Sequence, residues 1–370
     1  MALQEAISVA RPDIIVPCDD RAVWQLHELH ELRPDLRPLI ETSLGPPGSF
    51  ATVRSRAALL DIARAAGVRT PETRAVRSEE DIRAWFADRP GQAVLKLDGT
   101  WGGSGVQVAC SPERALETWR RFTAPEARGT SLKRWIIDRD PLAFWSRHSR
   151  GVRTTAIQAF ITGRPANAML AAWRGRLLGL VSVEVLCTQG PTGASTVVRL
   201  IRNAEIERAA AVLVRQLGLS GFLGLDFILE EGTGAPFLIE LNARCTQLGH
   251  LILPAQGDLA GMLCAAVGAS GAPATELPID RELIAFFPQA LAWNPDSPYM
   301  QQCHHDVPWT EPALVRELLR DSWVERRWLT RLYNWLRGTA RNPAPNPVSF
   351  LRLAATAGQA AGPLISTTNE

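Results

Sequence analysis

Paired cysteines are missing from this sequence. None of the six, Cys18, Cys110, Cys187, Cys245, Cys264 and Cys303, stands in a CxxC pair. That argues against a zinc site built on such pairs and gives no disulfide framework. Scattered free thiols in a 370-residue chain fit the cytoplasm, the expected location. Charge of one sign is missing too. With 40 basic and 38 acidic residues the net charge is +2, so no general nucleic-acid binder is expected. The segment MALQEAISVARPD has no basic stretch leading into an apolar one, and no signal peptide is expected. The most apolar later run, LILPAQGDLAGMLCAAVGAS, is broken by Pro254 and Asp258 and does not read as a membrane span. There is no internal repeat. The 46% hydrophobic and 21% charged residues are ordinary for a soluble globular protein with room for two or three domains.

The patterns that are present alternate between strand and helix. DIIVP at 13–17 predicts a short buried strand, followed by a helix in DDRAVWQLHELHEL capped by Asp19 or Asp20. GPPGS at 45–49 predicts a loop. SRAALLDIARAAG predicts a helix with Ser55 as N-cap and Gly67 just past its end. SEEDIRAWFADRPG and SPERALETWRRF predict two more helices, and QAVLKL and VQVAC two strands. Three strands follow in TTAIQAFITGRPANAMLAAWRGRLLGLVSVEVL, then a helix in NAEIERAAAVLVRQLGL. Hairpins mixed with helices indicate an α+β protein, with a fragment of α/β at the front.

The stretch GFLGLDFILEEGTGAPFLIELNAR, residues 221–244, sets two acids and an amide among apolar neighbours. If its halves pair as a hairpin with Leu229 opposite Phe237, Asp226 falls opposite Glu240 and Gly224 opposite Asn242. All three polar side chains then share one face. Like charges directly opposed are destabilising, and a divalent cation with oxygen ligands removes the conflict. The alternative is two solvated acids on a sheet face with Asn242 opening a turn. A second feature is AVLKLDGTWGGSGVQVA, which places Lys96 in an apolar strand just before a glycine-rich loop. Such a loop can cradle an anion with its backbone N–H groups. It lacks the GK[ST] ending and the following helix of a P-loop. The alternative is a flexible turn beside a solvated lysine.

The order RAALLDIARAAGVRTPET, VLKLDGTWGGSGV, IQAFITG and LDFIL…FLIELNAR resembles the ATP-grasp superfamily over roughly residues 13–255. The resemblance implies two α+β lobes around a nucleotide, with ATP and Mg²⁺ (Mn²⁺ as the alternative ion) as cofactors. It implies that Lys96 contacts the α- and β-phosphates, and that Gly102, Gly103, Ser104 and Gly105 cover them. Arg56 stands where the family often has another phosphate-side lysine. Gln158, Ala159, Phe160 and Ile161 match the segment that reads adenine. Asp226, Glu240 and Asn242 match the metal ligands, and Arg244 a residue near the transferred phosphate or the substrate acid. Arg199 is a weaker candidate for the same cleft. The implied chemistry is carboxylate activation as an acylphosphate, captured by an amine. The implied partners are therefore a small-molecule carboxylate and an amine, with no nucleic acid.

This sequence departs from the family pattern in three places. The family pattern has a strand and helix ahead of ARPDIIVPCDD that are not found here, so either the start is misassigned or, as expected, residues 1–50 form a shortened domain before an ATP-grasp domain at 51–275. Where the family often has a ribose-holding Glu after the hinge, this chain has Gly163-Arg164-Pro165, and Glu184 is the substitute candidate. Residues 276–370 match nothing in the pattern and are expected as a mostly helical, Pro- and Trp-rich extension. Within it, SWVERRWLTRLYNWLRG carries the helical stripe Val324, Trp328, Leu332, Trp335 and Leu336 beside four arginines. A helix packed on its own protein is expected, and surface contact with a membrane by residues 322–338 is the lesser reading. His27, His30 and the His304-His305-Asp306 run are expected to be structural or surface features. The leading functional reading is an ATP-dependent carboxylate–amine ligase. The alternatives are a carboxylase-type enzyme, disfavoured by the lack of an MKM-like biotin-attachment motif, and a non-catalytic nucleotide-binding or regulatory protein. The oligomeric state is open, with a homodimer among the options.

Overall fold

The computed structural model describes residues 2–99, 105–124, 154–190, 193–253, 257–269, 279, 281–321, 326, 328–337 and 347–356. The chain divides into two compact units. One comprises Met1–Phe122, Thr154–Val185 and Arg199–Glu282, and the other Thr123–Arg153, Leu186–Val198 and Leu283–Glu370.

The first unit opens with helices α1 (Ala2–Ala10), α2 (Asp20–Leu32) and α3 (Arg37–Leu44), which share a small core of Ile7, Leu26, Ile40 and Leu44. Asp19 is the cap of α2, its carboxylate accepting from the Ala22 N–H at 2.8 Å. The DIIVP segment is not a strand. Pro12 and Pro17 cannot donate to a ladder. The chain there is instead tied by single bonds, from Ile15 N–H to Ser43 Oγ at 2.9 Å and from Cys245 N–H to Pro17 O at 2.9 Å. Residues 1–50 belong to the same unit as 51–122.

A short helix α4 (Phe50–Arg54) precedes α5 (Arg56–Ala65), which Ser55 caps through the Ala58 N–H. Gly67 takes φ +80°, the left-handed conformation that ends the helix. Strand β1 (Thr73–Val76), helix α6 (Glu79–Asp88), strands β2 (Ala93–Leu97) and β3 (Val106–Ala109), helix α7 (Pro112–Thr123) and strand β4 (Thr155–Ala159) follow. The strands form an antiparallel sheet in the order β1-β4-β2-β3. Ser78 and Asp81 close a capping box on α6. Ile82 and Trp85 of α6 and Leu116 and Phe122 of α7 pack on Leu95 and Leu97. Alternation along β2 then turns Lys96 to the opposite face from that core.

A second antiparallel sheet holds β5 (Gly163–Trp173), β6 (Arg176–Thr188), β8 (Gly221–Glu230) and β9 (Pro236–Asn242) in the order β6-β5-β8-β9, after β7 (Ser195–Ile201) and helix α8 (Ala204–Leu217) are counted in chain order. Asn203 caps α8, and Gly218 ends it in the left-handed region. Ile206, Leu213 and Val214 of α8, with Leu59 and Leu60 of α5, pack on Ala166, Ala168, Leu225, Phe227 and Leu238. Each of the buried Leu, Ile, Val and Phe side chains there contributes roughly 1.5–3 kcal/mol. Helix α9 (Leu259–Val267) closes this unit's described elements.

The second unit contains a short parallel pair, β10 (Leu283–Ala285) and β11 (His304–His305), and helices α10 (Gln289–Trp293), α11 (Pro312–Leu318), α12 (Trp328–Arg337) and α13 (Pro347–Thr356). Its core gathers Phe287, Leu291, Val307, Val315, Phe350 and Leu353. His304 and His305 are half-buried in β11, and His305 Nε2 lies 2.7 Å from Met300 O. Among the described residues no helix is long and apolar enough to cross a membrane.

Candidate active site

The β8–β9 hairpin sets Asp226 directly opposite Glu240 and Gly224 opposite Asn242. The route to that register differs from simple alternation. At the turn end Leu229 faces Pro236 and Ile228 faces Phe237, one residue away from the expected Leu229–Phe237 pair. A bulge at Ile239 then restores the pairing of the acids. The bulge also has a use. Ile239 has no opposite number on β8, and its carbonyl accepts from Lys96 Nζ at 3.4 Å. Strand β2 of the first sheet thereby meets the carboxylate strand of the second. Gly224 is required by Thr246, whose Cγ2 would lie 2.5 Å from a Cβ there.

Asp226 is held by two amides. Asn167 Nδ2 donates to Oδ1 at 2.5 Å and Asn242 Nδ2 to Oδ2 at 3.1 Å. Asn167 stands opposite Asp226 on the neighbouring strand β5. Burial pushes the Asp226 carboxyl up, and the Glu240 charge adds to that, while the two amides partly oppose it. Glu240 is paired with Arg56, whose Nη2 donates to Oε1 at 2.6 Å. Arg56 also donates from Nη1 to Leu97 O at 2.8 Å and to Asp98 Oδ1 at 3.2 Å. Burial works against the Arg56 charge, but Glu240 and Asp98 outweigh it and hold the guanidinium above its ordinary range. Lys96, only 4% exposed, fares differently. Burial pulls its ammonium down to about 8 despite Glu240, and neighbouring Arg56 lowers it further. Burial also raises Asp98.

Arg244 ends the hairpin. Its Nε lies 3.0 Å from Asp20 Oδ2, and its Nη2 donates to Asn242 Oδ1 at 3.4 Å. Leu97 N–H donates to Gly105 O at 2.8 Å, closing the base of the glycine loop. Gly99 begins that loop at φ +75°, with the Trp24 ring 2.5 Å from where a Cβ would stand. Gly102, Gly103 and Ser104 lie outside the described residues. Gln158 is buried in β4, donating to Thr73 Oγ1 at 3.0 Å, and Ala159 N–H donates to Glu72 O at 2.9 Å. Phe160 is exposed and Ile161 half-buried in the short link from β4 to β5, which joins the two sheets.

Two expected site residues are not brought to this group. Glu184 stands opposite Ala166 on β5, and Ala166 opposite Phe227 on β8. Directly opposed residues share a face. Glu184 therefore lies on the face of Phe227, away from Asp226 and Asn167. There it pairs with Arg164 at 2.7 Å and with Arg199 at 3.7 Å, so Arg199 also belongs to this other group. Asn167, conversely, was not foreseen. Its signal in the sequence is a single amide in the apolar run ANAMLAAW.

Among the described residues no three His, Cys, Asp or Glu side chains stand together as a metal site. The set here is two carboxylates and an amide. It suits a hard cation that takes oxygen ligands and leaves positions for phosphate. Burial first and the Glu240 charge second raise the Asp226 carboxyl, and a divalent ion held between the two carboxylates would favour its charged form.

No curated protein matches the chain in sequence. Residues 142–247 match the ATP-grasp domain family. In fold, the chain is similar to the biotin carboxylase domain dimer of Hydrogenobacter thermophilus 2-oxoglutarate carboxylase, solved with MgADP, ADP and bicarbonate, at 13% identity and a TM-score of 0.53. It is similar to the biotin carboxylase–β,γ-ATP complex of Campylobacter jejuni at 12% identity and the same TM-score of 0.53. Each match covers 74% of this chain, and the chain spans 58% of each of those structures. The two antiparallel sheets with their flanking helices thus have the ATP-grasp fold, of α+β class, and residues 142–247 carry the match to the ATP-grasp domain family.

Proposed function

We propose that the protein is an ATP- and Mg²⁺-dependent ligase that activates a small carboxylate as an acylphosphate and joins it to an amine. The observation that carries this reading is the convergence of Lys96 and Arg56 on the strand that bears Glu240, next to Asp226 and Asn242. Two buried cations beside two carboxylates match the needs of phosphoryl transfer, which rests on positioning and charge neutralisation.

In this reading an oxygen of the substrate carboxylate attacks the γ-phosphorus of ATP, and the bond to the β,γ-bridging oxygen breaks to leave ADP. The amine nitrogen then attacks the acyl carbon, and phosphate leaves as the C–N bond forms. Lys96 and Arg56 hold the nucleotide phosphates. A phosphate beside Lys96 favours its ammonium form, offsetting the burial that lowers it. Asp226, Glu240 and Asn242 would hold Mg²⁺, which supplies neutralisation of phosphate charge when bound. Arg244, steadied by Asp20, would meet the transferred phosphate or the substrate acid. Asn167 orients Asp226 by its hydrogen bond.

ADP release with pools of carboxylates and amines, in Mg²⁺, tests the reading. Release that needs both an acid and an amine supports it. Release with bicarbonate alone would favour the carboxylase-type alternative. A rise in melting temperature with ATP and Mg²⁺ but no turnover would favour the non-catalytic nucleotide binder.

A further inference from the structure

Helix α12 turns its apolar stripe the wrong way for a helix packed on its own protein. Trp328 is 66% exposed, Leu332 45% and Trp335 76%, while Thr330 is 2% exposed. Residues 328, 332 and 335 recur at the spacing of one helix face, and 330 lies across the helix from them. The expectation of a stripe buried against the protein is therefore reversed. Helix α13 presents the same pattern more weakly, with Val348 and Leu351 outward and Phe350, Leu353 and Ala354 buried.

Charge identifies what this surface fits. Residues 326–369 contain six arginines and no acidic residue or lysine, a charge of +6 in a chain whose net charge is only +2. The remainder of the chain is thus net acidic, and its basic excess is gathered here. We infer that α12 and α13 form a surface that docks on an anionic lipid bilayer, with Trp328, Leu332 and Trp335 in the interface and the exposed Arg331 at headgroup level. A ten-residue helix, about 15 Å long, is too short to span a bilayer and would lie in its plane. Arginine with tryptophan and leucine on a helix without acids is the composition such interfacial helices use. Nucleic acid would use the arginines but leaves Leu329, Leu332, Val348 and Leu351 in water. The inference is independent of the proposed reaction.

Flotation of the full chain with lipid vesicles tests it. The chain is expected to float with vesicles of phosphatidylcholine containing about 30% phosphatidylserine, and much less with phosphatidylcholine alone. The W328S/W335S double variant should lose at least about tenfold in partitioning. Its melting temperature should stay within about 1–2 °C of the parent, because both side chains are exposed. Arg331→Glu should weaken flotation separately, and high salt should do the same to the parent. Any of four results would overturn the inference. These are no flotation with either vesicle, flotation unchanged in the double variant, a dimer by light scattering that the double variant abolishes without any flotation, or binding to duplex RNA or DNA in place of vesicles.

Discussion

The two faces of the β6-β5-β8-β9 sheet each carry a carboxylate, buried on one and half-buried on the other, and they treat it in opposite ways. On one face Glu184, its side chain 5% exposed, meets two arginines, Arg164 and Arg199, whose own side chains are about half in solvent. On the other, Asp226 meets two neutral amides and a second carboxylate. The first arrangement is electrically complete. The second stays short of positive charge at Asp226, since Arg56 is committed to Glu240. A protein selected only for stability has little reason to keep the second arrangement when the first was available a strand away. The difference marks one face as structural and the other as built for a charged ligand.

Glu240→Gln tests that contrast most severely. It keeps the shape of the side chain and removes one of the two opposed charges. ADP release should fall by about 10²–10³-fold, the size of effect seen when one preorganised charge-stabilising group is removed. The melting temperature should change little, because relief of repulsion with Asp226 offsets the weakened bond to Arg56. Lys96→Met should also abolish most turnover, yet raise stability. In the unfolded chain Lys96 holds its proton to about pH 10.5, and in the folded, ligand-free protein only to about pH 8. Below pH 8 the fold carries the cost of a buried ammonium. Between pH 8 and 10.5 only the unfolded chain keeps the proton, so stability rises with pH across that window. Chemical denaturation of the ligand-free protein at pH 7 and pH 10 should show this rise in the parent and not in the variant. The difference should be on the order of 2–3 kcal/mol.

Much of this contrast could be read from the sequence, and the rest depended on strand order. The opposition of Asp226 and Glu240 comes out as expected only because two one-residue offsets cancel, the Leu229–Pro236 register at the turn and the bulge at Ile239. The bulge is not legible, since one extra residue in β9 leaves no mark in the apolar pattern, although it sets the carbonyl that receives Lys96. Asn167 is 59 residues from Asp226, and only the placement of β5 beside β8 brings them together. Glu184 was read as a neighbour of the nucleotide. Its face is decided by the β5–β6 register, which a single sequence does not display. The outward stripe of α12 was visible as a pattern, but its direction depends on what the rest of that unit offers to pack against.

Asn167→Ala should have an intermediate effect. It removes a 2.5 Å hydrogen bond from a carboxylate already short of compensation, and nothing replaces it. A stability loss of about 1–3 kcal/mol in urea is expected for the ligand-free protein. Mg²⁺ with ATP should recover part of it, since a ligand that binds only the folded state raises its stability.

The smallest effect belongs to Glu184→Gln, and it bears most directly on the comparison. The substitution leaves Arg164 and Arg199 without a counter-charge, but both reach solvent, where an exposed ion pair is worth about 0–1 kcal/mol. Because Glu184 shares its face with Phe227 and not with Asp226, the substitution should change ADP release by no more than about twofold. A loss comparable to that of Glu240→Gln would show that the two faces are coupled through the sheet, and the division into a structural face and a ligand-binding face would fail. A small loss confined to stability would show that a buried carboxylate in this fold serves chemistry only where its neighbours leave it uncompensated.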